Sequence, residues 1–593
     1  MTILAGVISR TPSASVPDAL CAALRRTISR DPADRPIEFR TPHCFFIKVD
    51  IGAFGRPAHH QSPEGSFAML AGEPLLVCDG PRGEERDAHL EYLQAAWDNG
   101  DFSPLRHASG TFCAAYFDPR HGTARLVADR LGLRTLYYAV TEQFVFFSSA
   151  LRILEALDDL PKTMDVVALV EITGFGYPFG GGTPYAGIRM MLPCEMITVG
   201  PDGIRSSRYF RWDAIKLVQA SGEEMREATH HLFQQAIRRR LRGDRTTFAY
   251  LSGGLDSRCT VAGLLAEGAR VYTFNFSPPR TQDQVFALQY AEKSGAVHHE
   301  TPAGANPNWS AIMADAWRAS PRRAERMPER LNVVWTGEGG SVGLGHVYIT
   351  PEIVKTLRAG DSAGAVDVFL QQQRKSLLSR ILNDDVASSL RGHLQKRLLD
   401  ELKEIDYPDP VRAFYIFLNL NGPRRHLVKH FETIDQHRLE FQVPFYDSEF
   451  LEYLTALPVD PCLYHRFYVQ WLSSFDPAVR EVPWQAYPGH TPSIVPVPDD
   501  LPDQWGGGSS SAYRSSPDDD LIERAKAMLS APDFPFRVLH KGSLRLMLWA
   551  TKLGLGNYGY ALKAGLAYYE CMKTCKGKYE LPTTLGVTEA QVA

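Results

Sequence analysis

The stretch Phe248-Ala-Tyr-Leu-Ser-Gly-Gly-Leu-Asp-Ser257 decides how the rest of the chain is read. Apolar residues run into it as they do in a buried parallel strand, and Cys259 to Ala266 (CTVAGLLA) leave it as a helix. The loop between them holds two glycines, two hydroxyls and one carboxylate. A strand–loop–helix of this kind aims backbone N–H groups at the helix N-terminus, where the dipole also favours an anion. Gly253 and Gly254 put no side chain in the way of a phosphate and tolerate the positive φ that an anion-cupping loop needs. Ser252 and Ser257 offer hydroxyl donors. Asp256 would repel a phosphate unless a cation lay between them, so it reads as a Mg²⁺ ligand. The loop lacks the lysine of a Walker P-loop, which argues against γ-phosphate transfer.

With 593 residues the chain is too long for one core, and two or more domains are expected. The content of 44% hydrophobic and 22% charged residues is that of a soluble globular protein. A formal net charge of −4 gives no reason to expect nucleic acid or a membrane surface as partner. No apolar run reaches the length of a membrane span. The opening MTILAGVISRTPS lacks the basic start and long apolar region of a signal peptide, so a cytoplasmic protein is expected. Nine scattered cysteines argue against a disulfide framework, and Cys571 and Cys575 lack the second pair that a zinc site needs.

Up to about Pro201 the pattern is short strands and turns. Leu4 to Ile8, Phe45 to Val49, Ala68 to Leu70, Gly110 to Asp118 and Phe144 to Ser149 read as strands, with a helix from Asp87 to Trp97. Glu223 to Arg242 reads as an amphipathic helix whose Arg238-Arg239-Arg240 run is expected on a solvated face. Val271 to Phe276 is a second buried strand, and Thr281 to Ser294 a helix. A further strand enters the glycine turn Val333-Val-Trp-Thr-Gly-Glu-Gly-Gly-Ser341. Gly506 to Ser511 and Ser515 to Asp520 are rich in Gly, Ser and Asp and are expected to form a mobile loop, 505–520. The last dozen residues are expected to fray.

The hexapeptide Ser252–Ser257 resembles the pyrophosphate loop of the ATP pyrophosphatases, and of their asparagine-synthetase branch in particular. Three further segments carry the resemblance. Asp129, Arg130, Gly132, Arg134, Leu136, Tyr137 and Tyr138 match "DR-x-G-x-R-x-LYY"; Gly337-Glu338-Gly339-Gly340 is similar to "SGEGSDE"; and Leu439, Glu440, Pro444, Phe445 and Asp447 match "L-E-x-R-x-P-F-x-D". The implied fold is α/β and multidomain: an N-terminal Ntn-hydrolase-like αββα domain, 1–203, and a doubly wound parallel-sheet ATP-pyrophosphatase domain, 204–593. The resemblance places ATP against Leu251, Ser252, Gly253, Gly254, Leu255, Asp256 and Ser257, with Mg²⁺ on Asp256. It puts Phe274 on the strand lining the adenine pocket and the backbone of Gly337 against the nucleotide. Asp283 either faces pyrophosphate or caps its helix. Glu338 is the implied base that takes a proton from an incoming amine, making Glu338 and Asp256 the expected catalytic pair.

The departures narrow the expectation. Thr2 stands where the family has its nucleophilic cysteine, and Ala71 where an asparagine serves the oxyanion hole, a loss typically worth about 10²–10³ in rate. Glutamine hydrolysis is therefore not expected. Ser341 replaces an aspartate that would be a second Mg²⁺ ligand, and Gln442 replaces an arginine. The family's lysine loop has no counterpart near Arg480-Glu-Val-Pro-Trp484, Lys541 being a substitute by chemistry alone. An intact adenylating loop beside a disabled ammonia source implies an amine carried by the substrate itself. Within the family this looks most like a lasso-peptide macrolactam cyclase, which adenylates an Asp or Glu side chain of a leaderless core peptide and closes an isopeptide ring. The implied cofactors are ATP and Mg²⁺; the implied partners are a precursor peptide, a leader peptidase and a leader-recognition protein. An amide ligase on a small substrate and a non-catalytic nucleotide- or peptide-binding chain are the alternatives.

Overall fold

The computed structural model describes residues 2–11, 14–77, 85–300, 309–323, 328–372, 380–390, 392–503 and 519–581. The chain divides into two compact units. Met1–Leu157, Met191–Pro351 and Ile405–Arg514 form one; Asp158–Met190, Glu352–Glu404 and Ser515–Ala593 form the other.

In the first unit, the N-terminal strands build two antiparallel layers. Thr2–Ser9 lies between Cys44–Asp50 and Phe144–Ser148, pairing with both. The second sheet orders Gly203–Arg208, Glu195–Gly200, Thr123–Ala128, Phe112–Asp118, Phe67–Gly72 and His59–Gln61. Alternate residues of both sheets point inward, and Leu4, Phe46, Phe67, Met69, Phe117, Leu126 and Phe147 form the core between them. The helix Asp18–Thr27 packs on the first sheet through Leu20, Cys21 and Leu24, and Arg86–Asp98 packs on the second through Leu90, Leu93 and Trp97. The result is αββα. The last strand runs to Arg208, a few residues past 203.

The third sheet is parallel throughout, in the order Val297–Glu300, Arg270–Asn275, Thr246–Tyr250, Val333–Trp335 and Glu440–Gln442. Its central strands are buried on both faces, which is why they read as unbroken apolar runs. Chain order reverses between Thr246–Tyr250 and Val333–Trp335. Such a switch point opens a crevice outside the carboxyl ends of the two strands, where ligands bind in open α/β sheets.

Buried charges tie these layers together. Arg134 meets Glu440 at 2.6 Å, and Arg240 meets Asp447 at 2.7 Å, all four side chains being nearly inaccessible. Glu73 accepts from Arg242 and, at 2.9 Å, from Gln442. Gln442 thus serves as a neutral partner to a carboxylate already paired. The arginine run departs from expectation: Arg238 reaches solvent and Glu267, but Arg240 is fully buried, because the helix Gly222–Leu241 turns that side chain into the interface with Asp447.

The second unit is helical, built from Val166–Phe175, Ser362–Gln372, His393–Lys403, Asp519–Ser530, Lys541–Lys552 and Gly559–Thr574. Met164–Asp165 and Tyr579–Glu580 add a short parallel pair. The loop expected at 505–520 lies almost wholly outside the described residues, apart from Asp519 and Asp520, which open a helix. The last dozen residues also lie outside them. Cys571 and Cys575 are buried, and the Cys571 thiol donates to the carbonyl of Pro184.

The Arg134–Glu440 pair gives a direct test of this packing. Glu440→Gln leaves a buried guanidinium without its counter-charge, and removing one partner of such a pair costs about 3–5 kcal/mol. Urea unfolding should show that loss, whereas Arg134→Met with Glu440→Leu should recover most of it.

Candidate active site

Two loops leave the carboxyl ends of the strands flanking the switch point, and they pack backbone against backbone. A Cβ added at Gly337 would lie 2.2 Å from the Ser257 nitrogen, and one at Gly340 would lie 2.7 Å from Asp256 Cγ. Gly339 has φ +100° and faces the ring of Tyr446, so no other residue fits there without strain. Glycine is needed in this turn for the approach of protein to protein.

The Ser252–Ser257 loop is closed on itself. Ser252 N donates to Ser257 Oγ at 2.9 Å, and the two hydroxyls bond at 2.9 Å. Gly253 N donates to Asp283 Oδ1 at 2.6 Å, and Ser277 Oγ donates to the other oxygen of that carboxylate. Asp283 therefore neither caps its helix, a role taken by Thr281, nor stands free before a phosphate; it holds the loop. Leu251 follows the strand Thr246–Tyr250, and Phe274 lies on the strand Arg270–Asn275. Both side chains are buried, Phe274 in the core against Phe248, and their contribution near the crevice is the bond from Leu251 N to Phe274 O at 3.0 Å.

Asp256 sits at the start of the helix Leu255–Ala266. Its Oδ1 accepts from Ser341 Oγ at 3.0 Å and from Tyr468 Oη at 2.8 Å, and its Oδ2 accepts from Ser341 N at 2.8 Å. Burial pushes its pKa up to about 6, against the pull of the Tyr468 and Ser341 hydrogen bonds, and the nearby charge of Glu338 adds to the rise. Glu338 is likewise raised by burial. Its backbone N–H donates to Thr336 Oγ1 at 3.2 Å, and its carboxylate accepts no hydrogen bond among the described residues.

A third segment closes the site. Arg258, fully buried one turn into the helix, donates to the carbonyls of Val479 at 3.0 Å, Val482 at 2.8 Å and Pro483 at 2.7 Å. Gln485 N then donates to Gly253 O at 3.0 Å, which lays Trp484 to Thr491 across the loop. The three segments enclose a cavity of about 170 Å³ lined by Ser252, Gly254, Asp256, Asp283, Ser341 and, from the last segment and its neighbour, His465, Tyr487 and His490. His465 Nδ1 lies 2.8 Å from His490 Nδ1, and its ring stacks on Tyr468 and Tyr487. Sequence reading missed all four aromatic residues. Tyr464-His-Arg-Phe-Tyr468 and Tyr487-Pro-Gly-His490 have no periodicity or spacing that marks a site. The proposed substitute Lys541 belongs to the other unit, its Nζ over the rings of Phe534 and Phe536.

Residues 228–463 match the asparagine synthase family and residues 87–210 the glutamine amidotransferase domain. The chain belongs to the asparagine synthetase family. It is 28% identical to asparagine synthetase [glutamine-hydrolyzing] 3 of Bacillus subtilis over 30% of this chain and 29% of that protein. It is 23% identical to amidase chyE of Penicillium rubens over 46% of this chain and 41% of the relative. With the asparagine synthetase of Cricetulus griseus it shares 24% identity over 59% of this chain and 56% of the relative. The matches thus span about half, or less, of the relatives' own lengths.

As a cation site for this asparagine synthetase-family chain, the crevice supplies little. Among the described residues no group of three His, Cys, Asp or Glu side chains is placed to hold a metal. With three hydrogen bonds accepted, Asp256 keeps about one free lone pair. Ser341 occupies this carboxylate where the family's aspartate would add a second one. The residues fit a divalent ion whose other ligands are phosphate oxygens and water.

The raised pKa of Asp256 has a consequence for stability. Between about pH 4 and 6 the folded chain holds a proton that the unfolded chain has released, so stability falls as pH rises through that window. The fall amounts to about 3 kcal/mol at 1.36 kcal/mol per unit. Urea unfolding of the wild type and Asp256→Asn at pH 4 and pH 7 should show the variant gaining that much relative to the wild type; a pH-independent difference would refute the assignment.

Proposed function

We propose that this chain is an ATP-dependent, AMP-forming amide ligase of the lasso macrolactam type, whose amine nucleophile is part of the substrate. The observation that carries the reading is the pairing of a formed adenylating crevice with an N-terminal domain lacking glutaminase chemistry. Thr2 stands on the strand Thr2–Ser9, and its register partner is Asp50. Asp50 is buried between Lys48 at 3.3 Å and Arg86 at 2.9 Å. Ala71 is a fully buried strand residue with no side-chain donor to offer an oxyanion. Ammonia from glutamine is therefore not the supply.

In this reading the triphosphate enters the cavity over Ser252, Gly254 and Ser341; Asp256 would hold a Mg²⁺ ion, which when bound would neutralise charge at the leaving pyrophosphate. A substrate carboxylate attacks the α-phosphorus, forming an acyl–oxygen–phosphorus bond as pyrophosphate leaves. The substrate's α-amine then attacks the acyl carbon, the amide bond forms and AMP departs. Glu338 takes the amine's proton. Its burial and its lack of hydrogen-bond donors both make it a better base than an exposed carboxylate. Ring closure around a threaded tail would draw its rate from positioning, in a pocket kept short of water.

A second reading, a ligase acting on a small molecule, is favoured by the two amidase-named fungal relatives, each matched over less than half of its length.

Incubation with ATP, Mg²⁺ and leaderless core peptides, or with aspartate plus ammonia, separates the readings. AMP and pyrophosphate release with a peptide alone, with loss of one water from that peptide by mass spectrometry, is expected. Glu338→Gln should slow the dehydration by about 10²–10⁴ while leaving nucleotide binding intact. Turnover with aspartate and ammonia alone would return the chain to asparagine synthesis, and no AMP with any substrate would leave a binding protein.

A further inference from the structure

The cavity at the switch point has a charge problem that the proposed nucleotide makes acute. Of its lining residues Asp256 and Asp283 are acidic, and among the described residues that line it there is no lysine or arginine. Among the described lining residues a triphosphate would meet two carboxylates and no lysine or arginine, and one Mg²⁺ does not balance four phosphate charges and two carboxylates. The lining groups able to become cationic are His465 and His490.

Their geometry is unusual for packed histidines. Nδ1 of one faces Nδ1 of the other at 2.8 Å, so one ring donates and the other accepts. His465 is held in place from all sides. Its backbone adopts φ 63°, its N–H donates to Gly345 O at 3.2 Å, and its ring lies between Tyr468 and Tyr487. A Cβ on Gly345 would touch its ring at 2.3 Å, so that glycine makes room for it. The residue after His490 is anchored as well: Thr491 donates to the carbonyl of Tyr464 through its N–H at 3.0 Å and its hydroxyl at 2.9 Å.

We propose that the His465–His490 pair is the phosphate-binding cation of this site, His490 meeting the nucleotide's phosphates and the pair taking up one proton as the polyanion enters. The inference rests on the nucleotide reading of the cavity and adds to it the group that balances the charge. The neighbours of the pair agree. Both rings are held neutral by burial, and for His465, whose pKa falls to about 3, His490 is the second cause. The other titratable groups facing them are Tyr464, Tyr468 and Tyr487, all phenols, and His346, itself neutral by burial and beside Arg412. Among the described residues no carboxylate is in contact with either ring; the backbone of Val347 beside His490 favours its protonated form, but burial outweighs it. An incoming triphosphate supplies the negative charge that reverses this balance.

The sign of the coupling follows. Protons are bound with the ligand, so MgATP affinity falls as pH rises, by up to about tenfold per pH unit across the window of uptake. Isothermal titration of MgATP into the full chain at pH 7, in buffers of low and high ionisation enthalpy, reads the proton count directly. Uptake of about one proton per nucleotide is expected, absent in His490→Gln, which should bind at least tenfold more weakly. His490→Lys, carrying a fixed charge, should bind nearly as the wild type with no uptake. Asp256→Asn, titrated at nucleotide and Mg²⁺ concentrations that saturate its weakened binding, should keep the uptake per nucleotide bound, which separates the pair from the other titrating group in the cavity. Wild-type binding without proton uptake, or uptake that survives in His490→Gln and vanishes in Asp256→Asn, would overturn the proposal and leave the nucleotide reading standing. Failure of the wild type to bind MgATP at all would instead remove that reading, and this one with it. The wild-type measurement decides even if a variant does not fold.

Discussion

One guanidinium holds the site together. Arg258 lies on the helix that begins the ATP loop, is fully buried, and spends its donors on three carbonyls of the segment Val479–Pro483. Among the described residues no carboxylate pairs with it; Tyr290 lies under its plane at 5.2 Å. Burial lowers its pKa to about 10, so the charge is retained at neutral pH despite the low-dielectric surroundings. The buried charge is met by neutral carbonyl acceptors, and each bond to a charged donor is stronger than a neutral one. The consequence is geometric. Once Val479–Pro483 is fixed on the helix, Gln485 reaches Gly253 and the segment to Thr491 has to cross the crevice.

Around that anchor the loops at the switch point are rigid before any ligand arrives. Ser257 braces Ser252, Asp283 holds Gly253, and Ser341 with Tyr468 holds Asp256. Those bonds keep φ and ψ of the glycines from wandering, which is a large part of the cost of ordering a phosphate loop. They also mean that several of the groups expected to touch phosphate are already engaged with one another, so an incoming nucleotide exchanges hydrogen bonds instead of filling empty donors. Ser341 illustrates the exchange. By substituting a hydroxyl for a carboxylate it removes one negative charge from the crevice and turns a potential metal ligand into a donor toward Asp256.

Much of this was legible in the sequence, and the boundary between what was and was not has a physical origin. A parallel strand buried on both faces reads as an apolar run, and the glycine loop after Tyr250 is punctuated by residues with narrow backbone meaning, so the ATP loop, the strand Arg270–Asn275 and the turn after Trp335 are recoverable locally. The alternation that marks the N-terminal strands is local too. Roles inside the loop are not, because Asp283 accepts from Gly253 across thirty residues, and nothing in either neighbourhood encodes that bond. The histidines were invisible for the same reason. His465 is brought to His490 by a left-handed turn at Tyr464 and by the arginine clamp, neither of which leaves a periodic trace. Arg240 misled because a run of three arginines looks solvated, whereas helical geometry separates neighbours by about 100° and turns one of them inward.

The N-terminal domain shows why a layer can outlast its chemistry. Glu73 stands in the segment that elsewhere in the family serves the glutaminase, yet here it pairs with Arg242 and Gln442 of the parallel-sheet domain. Arg134, in the other conserved-looking segment of that domain, pairs with Glu440 two residues before Gln442. Both links end on the strand Glu440–Gln442, the outer neighbour of Val333–Trp335, whose exit turn carries Glu338. Charges buried in pairs are costly to orphan. Losing the N-terminal domain would expose or orphan Arg242, Gln442 and Glu440 at the edge of the strand pair that positions the general base. The pairs Arg134–Glu440 and Glu73–Gln442 thus link the N-terminal layers to the strand beside the one whose exit turn carries Glu338.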